Sequence, residues 1–283
     1  MDEKGKLYIC GTPIGNLDDI TFRAVRILGN VDLIAAEDTR RTEKLLNHFK
    51  IDSKLTSYHE HNERQKAKSL ISTLNNGYDV ALVSDAGMPG ISDPGLILVE
   101  KAKENNIEII PIPGPTALVS ALVVSGIPTD RFTFYGFVPR KGKDRAGFID
   151  QITKAEETII FYESPYRIKN IYEDLTEKIP ERDSALIREI SKVHEEKIYG
   201  TISEVYKKIE DRVIKGEIVV VIKGREKQKP DKESWTDLSI LDHVRLFMDN
   251  GYTKKEAIKK VAEVREIRKK DVYKEAIQIN VNR

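Results

Sequence analysis

The chain of 283 residues carries 47 basic and 46 acidic side chains, for a formal net charge of +1. This balance neither favours nor excludes a nucleic acid partner, so any basic surface has to be local. The single cysteine, Cys10, excludes an internal disulfide and a multi-cysteine metal site. No apolar run is long enough for a membrane helix or a secretory signal, and we therefore expect a cytoplasmic location.

The first half alternates short apolar runs with helical patterns. Helices are predicted near 18–28, 42–49, 63–75, 96–105 and 116–125. The strands predicted between them are 6–10, 31–36, 80–83 and 107–111. Strands separated by helices of this length are typical of an α/β domain with a parallel sheet.

The second half opens after a hinge at 127–130 and alternates again. Its predicted helices are 165–178 and 202–214, and its predicted strands are 131–138, 158–162, 184–189 and 218–223. We expect a second α/β domain with a mixed sheet. The stretch EKQKPDKES at 226–234 is charged and poor in apolar residues, which is typical of a linker. Three helical patterns follow it. The predicted domains are 1–128, 129–225, a linker at 226–238 and a helix–turn–helix-like module at 239–283.

Three rigid loops follow strands of the first domain, at 11–16, 84–95 and 111–117. The first lacks the glycine spacing of a dinucleotide site, and a tight turn without a ligand is its alternative reading. In the second, Asp85 is the first charge after a buried strand, and it either contacts a ligand or forms a structural turn. The third is fixed by three prolines and leads into a small-residue helix, which suits a bound adenosine or a domain interface.

Several polar clusters have open interpretations. The segment HEHNE at 59–63 holds two histidines in a spacing that can bind a metal, but a polar loop lining a cleft is favoured, and no metal site is predicted. Basic clusters at 40–41 and 140–145 are solvated surface or phosphate contacts. The tail from 240 carries 11 basic and 7 acidic residues, a modest net +4 that is common on helix surfaces. Its helix–turn–helix-like pattern with Lys254, Lys255, Lys259 and Lys260 favours an RNA-docking module.

The run of motifs resembles one family. The segments CGTPIGN, AAEDTRRT, YHEHNE, SDAGMPGISDPG, PIPGPTAL, FYESPYR and REISKVHEE occur in the order seen in the tetrapyrrole methylases, from about 7 to 224. They look most like its ribosomal branch, which methylates the 2′-oxygen of a ribose in small-subunit RNA. The resemblance implies a class III methyltransferase fold, with S-adenosylmethionine held in a cleft between two α/β domains, and a homodimer.

Matched onto this chain, the resemblance implies a set of donor-contacting positions. These are Ile14, Asp85, Met88, Thr116, Ala117 and either Phe161 or Tyr162. A ribose hydroxyl is a poor nucleophile until its proton leaves, so a base should lie beside the cleft. We name Glu37 as that base and Arg40 as a phosphate or charge partner.

The expected activity is methyl transfer to a cytidine of small-subunit (16S) ribosomal RNA, on the free RNA or on the assembled subunit. Two alternatives stay open. One is a methyltransferase of a tetrapyrrole of the precorrin type, and the other is a non-catalytic nucleic-acid-binding regulator that uses the helical tail.

Overall fold

The structure is a computed structural model that describes residues 4–226 and 238–277. The predicted linker at 226–238 falls almost entirely outside the described residues. The chain divides by its contacts into one unit before residue 226 and a second after it, and the two are described separately. In the described part of the chain no helix combines the length and the apolarity that a membrane span requires.

The first unit contains ten strands and eight helices among its described residues. The strands are β1 (Leu7–Cys10), β2 (Leu33–Ala36), β3 (Leu55–Ser57), β4 (Val80–Val83), β5 (Ile109–Ile112), β6 (Phe132–Phe137), β7 (Thr158–Glu163), β8 (Asp183–Arg188), β9 (Glu196–Thr201) and β10 (Ile218–Ile222). The helices are α1 (Phe22–Asn30), α2 (Thr39–His48), α3 (Glu63–Asn75), α4 (Leu96–Glu104), α5 (Ala117–Val124), α6 (Gly142–Lys154), α7 (Ile168–Lys178) and α8 (Ile202–Ile209). A short 3-10 turn at Leu17–Asp19 precedes α1.

The first sheet has the strand order β3-β2-β4-β1-β5, and every neighbouring pair is parallel. The predicted parallel sheet is therefore confirmed. Its central strand β4 is buried along its whole length, because helices cover both faces of a parallel sheet. Separate apolar clusters fill the two sides, one around Leu70, Leu74 and Leu82 and the other around Leu28 and Ile34.

The second sheet has the order β6-β7-β10-β8-β9. Only β6 and β7 are parallel, and the other three pairings are antiparallel, which confirms the predicted mixed sheet. Helices α6, α7 and α8 pack on one face. The other face receives α5 of the first half, through Leu118, Ala121 and Leu122 against Ile160 and Val219.

Three elements were not expected from the sequence: β3, α6 and β9. Strand β3 has three half-buried residues, and β9 buries only Ile198. Helix α6 lies where the sequence shows a basic cluster, and it buries Phe148, Ile149 and Ile152. The apolar pattern of each of these elements is therefore too short or too weak for the element to be predicted from the sequence.

The second unit contains α9 (Ile240–Asp249), α10 (Lys254–Val264) and α11 (Lys269–Ala276) in its described part. A capping box begins α10, because the Thr253 side chain accepts from the Glu256 backbone N–H and the Glu256 carboxylate accepts from the Thr253 backbone N–H. Val244, Ile258, Val261 and other apolar side chains form its own core.

Candidate active site

The carboxyl ends of the parallel strands bring four polar segments to one edge of the first sheet. They are the loops after β1, β2, β4 and β5. In open α/β sheets, ligands bind at this edge, where loops diverge and backbone groups are free. The three loops that the sequence singled out are therefore neighbours in space, although up to about 100 residues separate them along the chain.

Close backbone contacts lock these loops together. Thr12 and Gly87 pair as an isolated antiparallel bridge, with N···O distances of 2.9 and 3.1 Å. Gly11 and Gly114 lie so close that a Cβ on Gly11 would be 2.8 Å from the Gly114 Cα and 2.7 Å from the Met88 Sδ. Gly87 has a φ of +81°, a conformation that favours glycine. The glycines thus allow three loops to touch through their main chains.

A cavity of about 380 Å³ opens beside these loops. This volume lies in the range of small-molecule sites. The first half supplies Ile14, Glu37, Arg41, Asp85, Met88, Asp93, Thr116, Ala117 and Leu118, together with neighbouring residues of the same loops. The second half supplies Phe137, Ile190 and the segments Tyr162 to Pro165 and Gly216 to Val219.

Asp85 is held in place from two sides. Its Oδ1 accepts a hydrogen bond from the Asp38 backbone N–H at 3.0 Å, and its Oδ2 pairs with the Arg41 guanidinium at 3.2 Å. Its own backbone N–H donates to the Glu37 carboxylate at 3.3 Å. Asp85 therefore acts as a junction between the loops after β2 and β4, while 22% of its side chain stays exposed.

The cavity wall is rich in carboxyl groups. Its lining includes Glu37, Asp85, Asp93, Glu163 and Glu217. Burial, followed by the nearby charge of Glu37, raises the pKa of Asp93 to about 6. Since like charges in a partly desolvated cleft oppose one another, the site favours a ligand that brings positive charge.

Tyr162 and Phe161 are adjacent on β7 but face opposite sides of the sheet. Tyr162 lines the cavity and packs edge-on against Phe134 and Phe137, with ring centroids 4.9 and 5.5 Å apart. Burial raises the pKa of its hydroxyl to about 12, so it stays protonated. Phe161 is fully buried against Phe148 in the core on the far face. Of the two residues, only Tyr162 can reach a ligand in the cavity.

Of the other residues singled out in the sequence, Ile14, Glu37, Asp85, Met88, Thr116 and Ala117 line the cavity and Arg40 does not. The Arg40 side chain is 85% exposed and pairs with Asp38 at 2.7 Å, which lowers the pKa of Asp38 to about 2. Arg41 is the arginine that reaches the cavity, because one residue rotates a helical side chain by about 100°. None of residues 59–63 lines it.

A second cavity of about 310 Å³ adjoins the first. The two share Ile14, Arg41, Asp85, Ala86 and Glu217, and the second also reaches Thr12, Thr42, Lys44 and Lys192. Lys192 is held by Glu189 and Glu217 at 2.9 and 3.1 Å. Two adjoining cavities that share a wall can hold two reactants side by side.

Comparison with known proteins assigns the chain to a family. The family model for Tetrapyrrole (Corrin/Porphyrin) Methylases matches residues 6–206. A protein of Halalkalibacterium halodurans named Ribosomal RNA small subunit methyltransferase I is 48% identical, over 96% of this chain and 94% of its own. The protein of that name in Bacillus subtilis is 43% identical over the same shares.

Solved structures share the fold. A cobalt precorrin-4 methyltransferase superposes with a TM-score of 0.58 at 17% identity, over 77% of this chain and 94% of its own. The uroporphyrin-III-C-methyltransferase of Thermus thermophilus gives a TM-score of 0.56 at 18% identity, over the same shares. These neighbours confirm the predicted class III methyltransferase-like arrangement of two α/β halves. The chain therefore belongs to the tetrapyrrole methylase family and is a methyltransferase whose methyl donor is S-adenosylmethionine.

Proposed function

We propose that the protein transfers a methyl group to the 2′-oxygen of a cytidine ribose in small-subunit (16S) ribosomal RNA, as a cytoplasmic homodimer. One observation supports the ribosomal substrate over a tetrapyrrole. The relatives from Halalkalibacterium halodurans and Bacillus subtilis, both named for ribosomal RNA, are 43–48% identical over 96% of the chain, whereas the two tetrapyrrole-type structures are 17–18% identical over 77% of it. The likeness to these two relatives extends into the C-terminal helical unit.

The cavity residues fit the methyl donor. S-adenosylmethionine carries a sulfonium and an ammonium, and the carboxyl groups of the wall provide the opposite charge. The apolar side chains Ile14, Met88 and Leu118 suit its adenosine, and the glycines allow close backbone approach. We assign donor binding to Ile14, Asp85, Met88, Thr116, Ala117 and Tyr162.

When bound, the donor supplies an activated methyl group that is open to in-line attack by an oxygen. The chain has to hold the acceptor in line and exclude water. We assign proton acceptance from the ribose hydroxyl to Glu37, which lines the cavity where the loops after β2 and β4 meet. Arg40, outside the cavity, is assigned to an RNA phosphate rather than to the reacting atoms.

The direct test incubates the protein and labelled S-adenosylmethionine with small ribosomal subunits and with their free RNA. We expect label on a cytidine ribose, located by nuclease digestion and mass spectrometry. Label on a base, or on an added precorrin but not on RNA, would overturn the proposal. RNA or DNA binding without any transfer would instead favour the regulator.

The donor site has a separate test by calorimetry. Asp85→Ala combined with Met88→Arg should weaken binding of S-adenosylmethionine at least tenfold, because the double variant removes one anion and adds one cation. Asp52→Ala, at an exposed carboxylate away from both cavities, is the matched control and should bind normally. Unchanged affinity in the double variant would reject the assigned site.

A further inference from the structure

Two exposed aromatic side chains belong to segments that line the first cavity. Tyr166, in the turn between β7 and α7, is 92% exposed, and Phe137, at the end of β6, is 59% exposed. Phe137 lines the cavity, and so do Ser164 and Pro165 immediately before Tyr166. Both aromatic residues therefore lie beside the first cavity.

The turn that carries Tyr166 is fixed to the end of β6. Arg167 donates from Nη1 to the Val138 carbonyl at 3.1 Å, and its Nη2 pairs at 2.6 Å with Glu163, whose side chain is fully buried. The Ser164 backbone N–H also donates to the Glu163 carboxylate. These bonds connect the turn that carries Tyr166 to Val138, which directly follows Phe137, and the two aromatic residues are called the aromatic rim.

The chain just beyond Phe137 is positively charged. Arg140, Lys141 and Lys143 are all exposed. Within residues 4–226 and 238–277, no ion pair or side-chain hydrogen bond involves any of the three. Arg145, which the sequence groups with them, is different: it pairs with Asp174 and donates to the Asn170 carbonyl on α7.

We propose that Tyr166 and Phe137 form a stacking platform for an unpaired nucleobase next to the target nucleotide, with Arg140, Lys141 and Lys143 contacting the adjoining phosphates. The inference rests on the proposed RNA substrate. Sequence-specific proteins bind single-stranded RNA by stacking its bases on aromatic side chains while cations follow the backbone. A tetrapyrrole offers no such chain of phosphates, so the basic segment matches RNA.

The platform predicts a specific kinetic signature. Tyr166→Ala should raise the KM for the RNA substrate about tenfold, the size expected for one lost stacking contact, and leave the affinity for S-adenosylmethionine unchanged. Tyr166→Phe should restore KM, since stacking needs the ring and not the hydroxyl. Phe22→Ala, at an aromatic that is 98% exposed at the start of α1, is the matched control and should behave as wild type.

The contribution of the basic residues Arg140, Lys141 and Lys143 is tested by the salt dependence of RNA binding. Replacing both Lys141 and Lys143 by Gln should weaken RNA binding and lower the slope of log affinity against log salt by about 1 to 2, as expected for two lost phosphate contacts. Wild-type KM in Tyr166→Ala, together with an unchanged salt slope in the lysine variant, would overturn the platform. If the wild-type protein transfers no methyl group to RNA, the proposed function itself fails, which is a different result.

Discussion

The two sheets of residues 4–226 differ in strand direction, and this difference decides what each contributes to the cavity. All five strands of the first sheet are parallel, so their loops meet at one edge and bring Glu37, Asp85 and Asp93 together. In the mixed second sheet, the ends of β6 and β7 and the start of β10 line the cavity. The parallel half thus supplies most of the charged groups, and the mixed half supplies a wall and an aromatic rim.

The largest change in the free energy of unfolding should follow a substitution beside the aromatic rim of the half that contains the mixed sheet. Arg167→Ala leaves the buried Glu163 carboxylate without its counter-charge, and a buried pair broken on one side costs about 3 kcal/mol. We expect this loss in the free energy of unfolding, measured by urea denaturation. The comparison pair in the parallel half is Arg40 and Asp38, in which the arginine is 85% exposed, so Arg40→Ala should leave stability unchanged. Equal effects in both variants would contradict this contrast.

A second, smaller effect should appear where the loops of the parallel half touch. Gly11→Ala places a Cβ against the backbone of Gly114, which cannot move away as a side chain could. We expect a loss of about 2 kcal/mol in unfolding free energy and a weaker affinity for the methyl donor.

The matched control for Gly11 is Gly29, an exposed position within α1 where a Cβ would meet nothing within 4 Å. Gly29→Ala should be neutral or stabilising by up to about 1 kcal/mol, since alanine favours a helix. Denaturation and calorimetry measure both variants. A Gly11→Ala protein as stable as Gly29→Ala would show that the loops can separate without cost.

The smallest effect concerns pH. The pKa of Asp93 is raised to about 6, so the folded chain binds more protons than the unfolded chain between about pH 4 and 6. Stability should therefore fall as pH rises through that window, by about 1 kcal/mol once solvent screening of this partly exposed carboxyl is included. A cationic donor favours the ionised carboxyl, so its affinity should rise from pH 5 to 7.

Asp93→Asn removes this titration. The variant should lose the decline in unfolding free energy and show a flatter pH profile of donor affinity, both measured at several pH values. An unaltered profile would mean that another group of the wall titrates in this range.

The loops could be predicted from the sequence because glycine and proline mark them and a parallel alternation brings their ends together. Residue-level roles were harder to predict. Helix α2 begins at Thr39 rather than near residue 42, and that difference changes which arginine faces the cavity. Strand β7 is apolar on both faces, so alternation could not distinguish Phe161 from Tyr162.

The aromatic rim shows a second limit. Tyr166 and the end of β6 are about 30 residues apart, and the link between them depends on Arg167 bonding to a backbone carbonyl. Backbone acceptors leave no mark in a sequence pattern, because every residue has one. Strand β9 was missed for a related reason: as an edge strand, it buries a single side chain.

The bridge between Thr12 and Gly87 has a consequence for ligand recognition. Two hydrogen bonds and the adjoining glycine contact define the shape of the site through the fold itself. A ligand that enters such a pre-organised site loses its own freedom of motion without also having to order the protein loops around it. Selectivity between similar ligands then depends on how well each one fits a site of fixed shape. The loops do not rearrange to accommodate a ligand that differs by one methyl group.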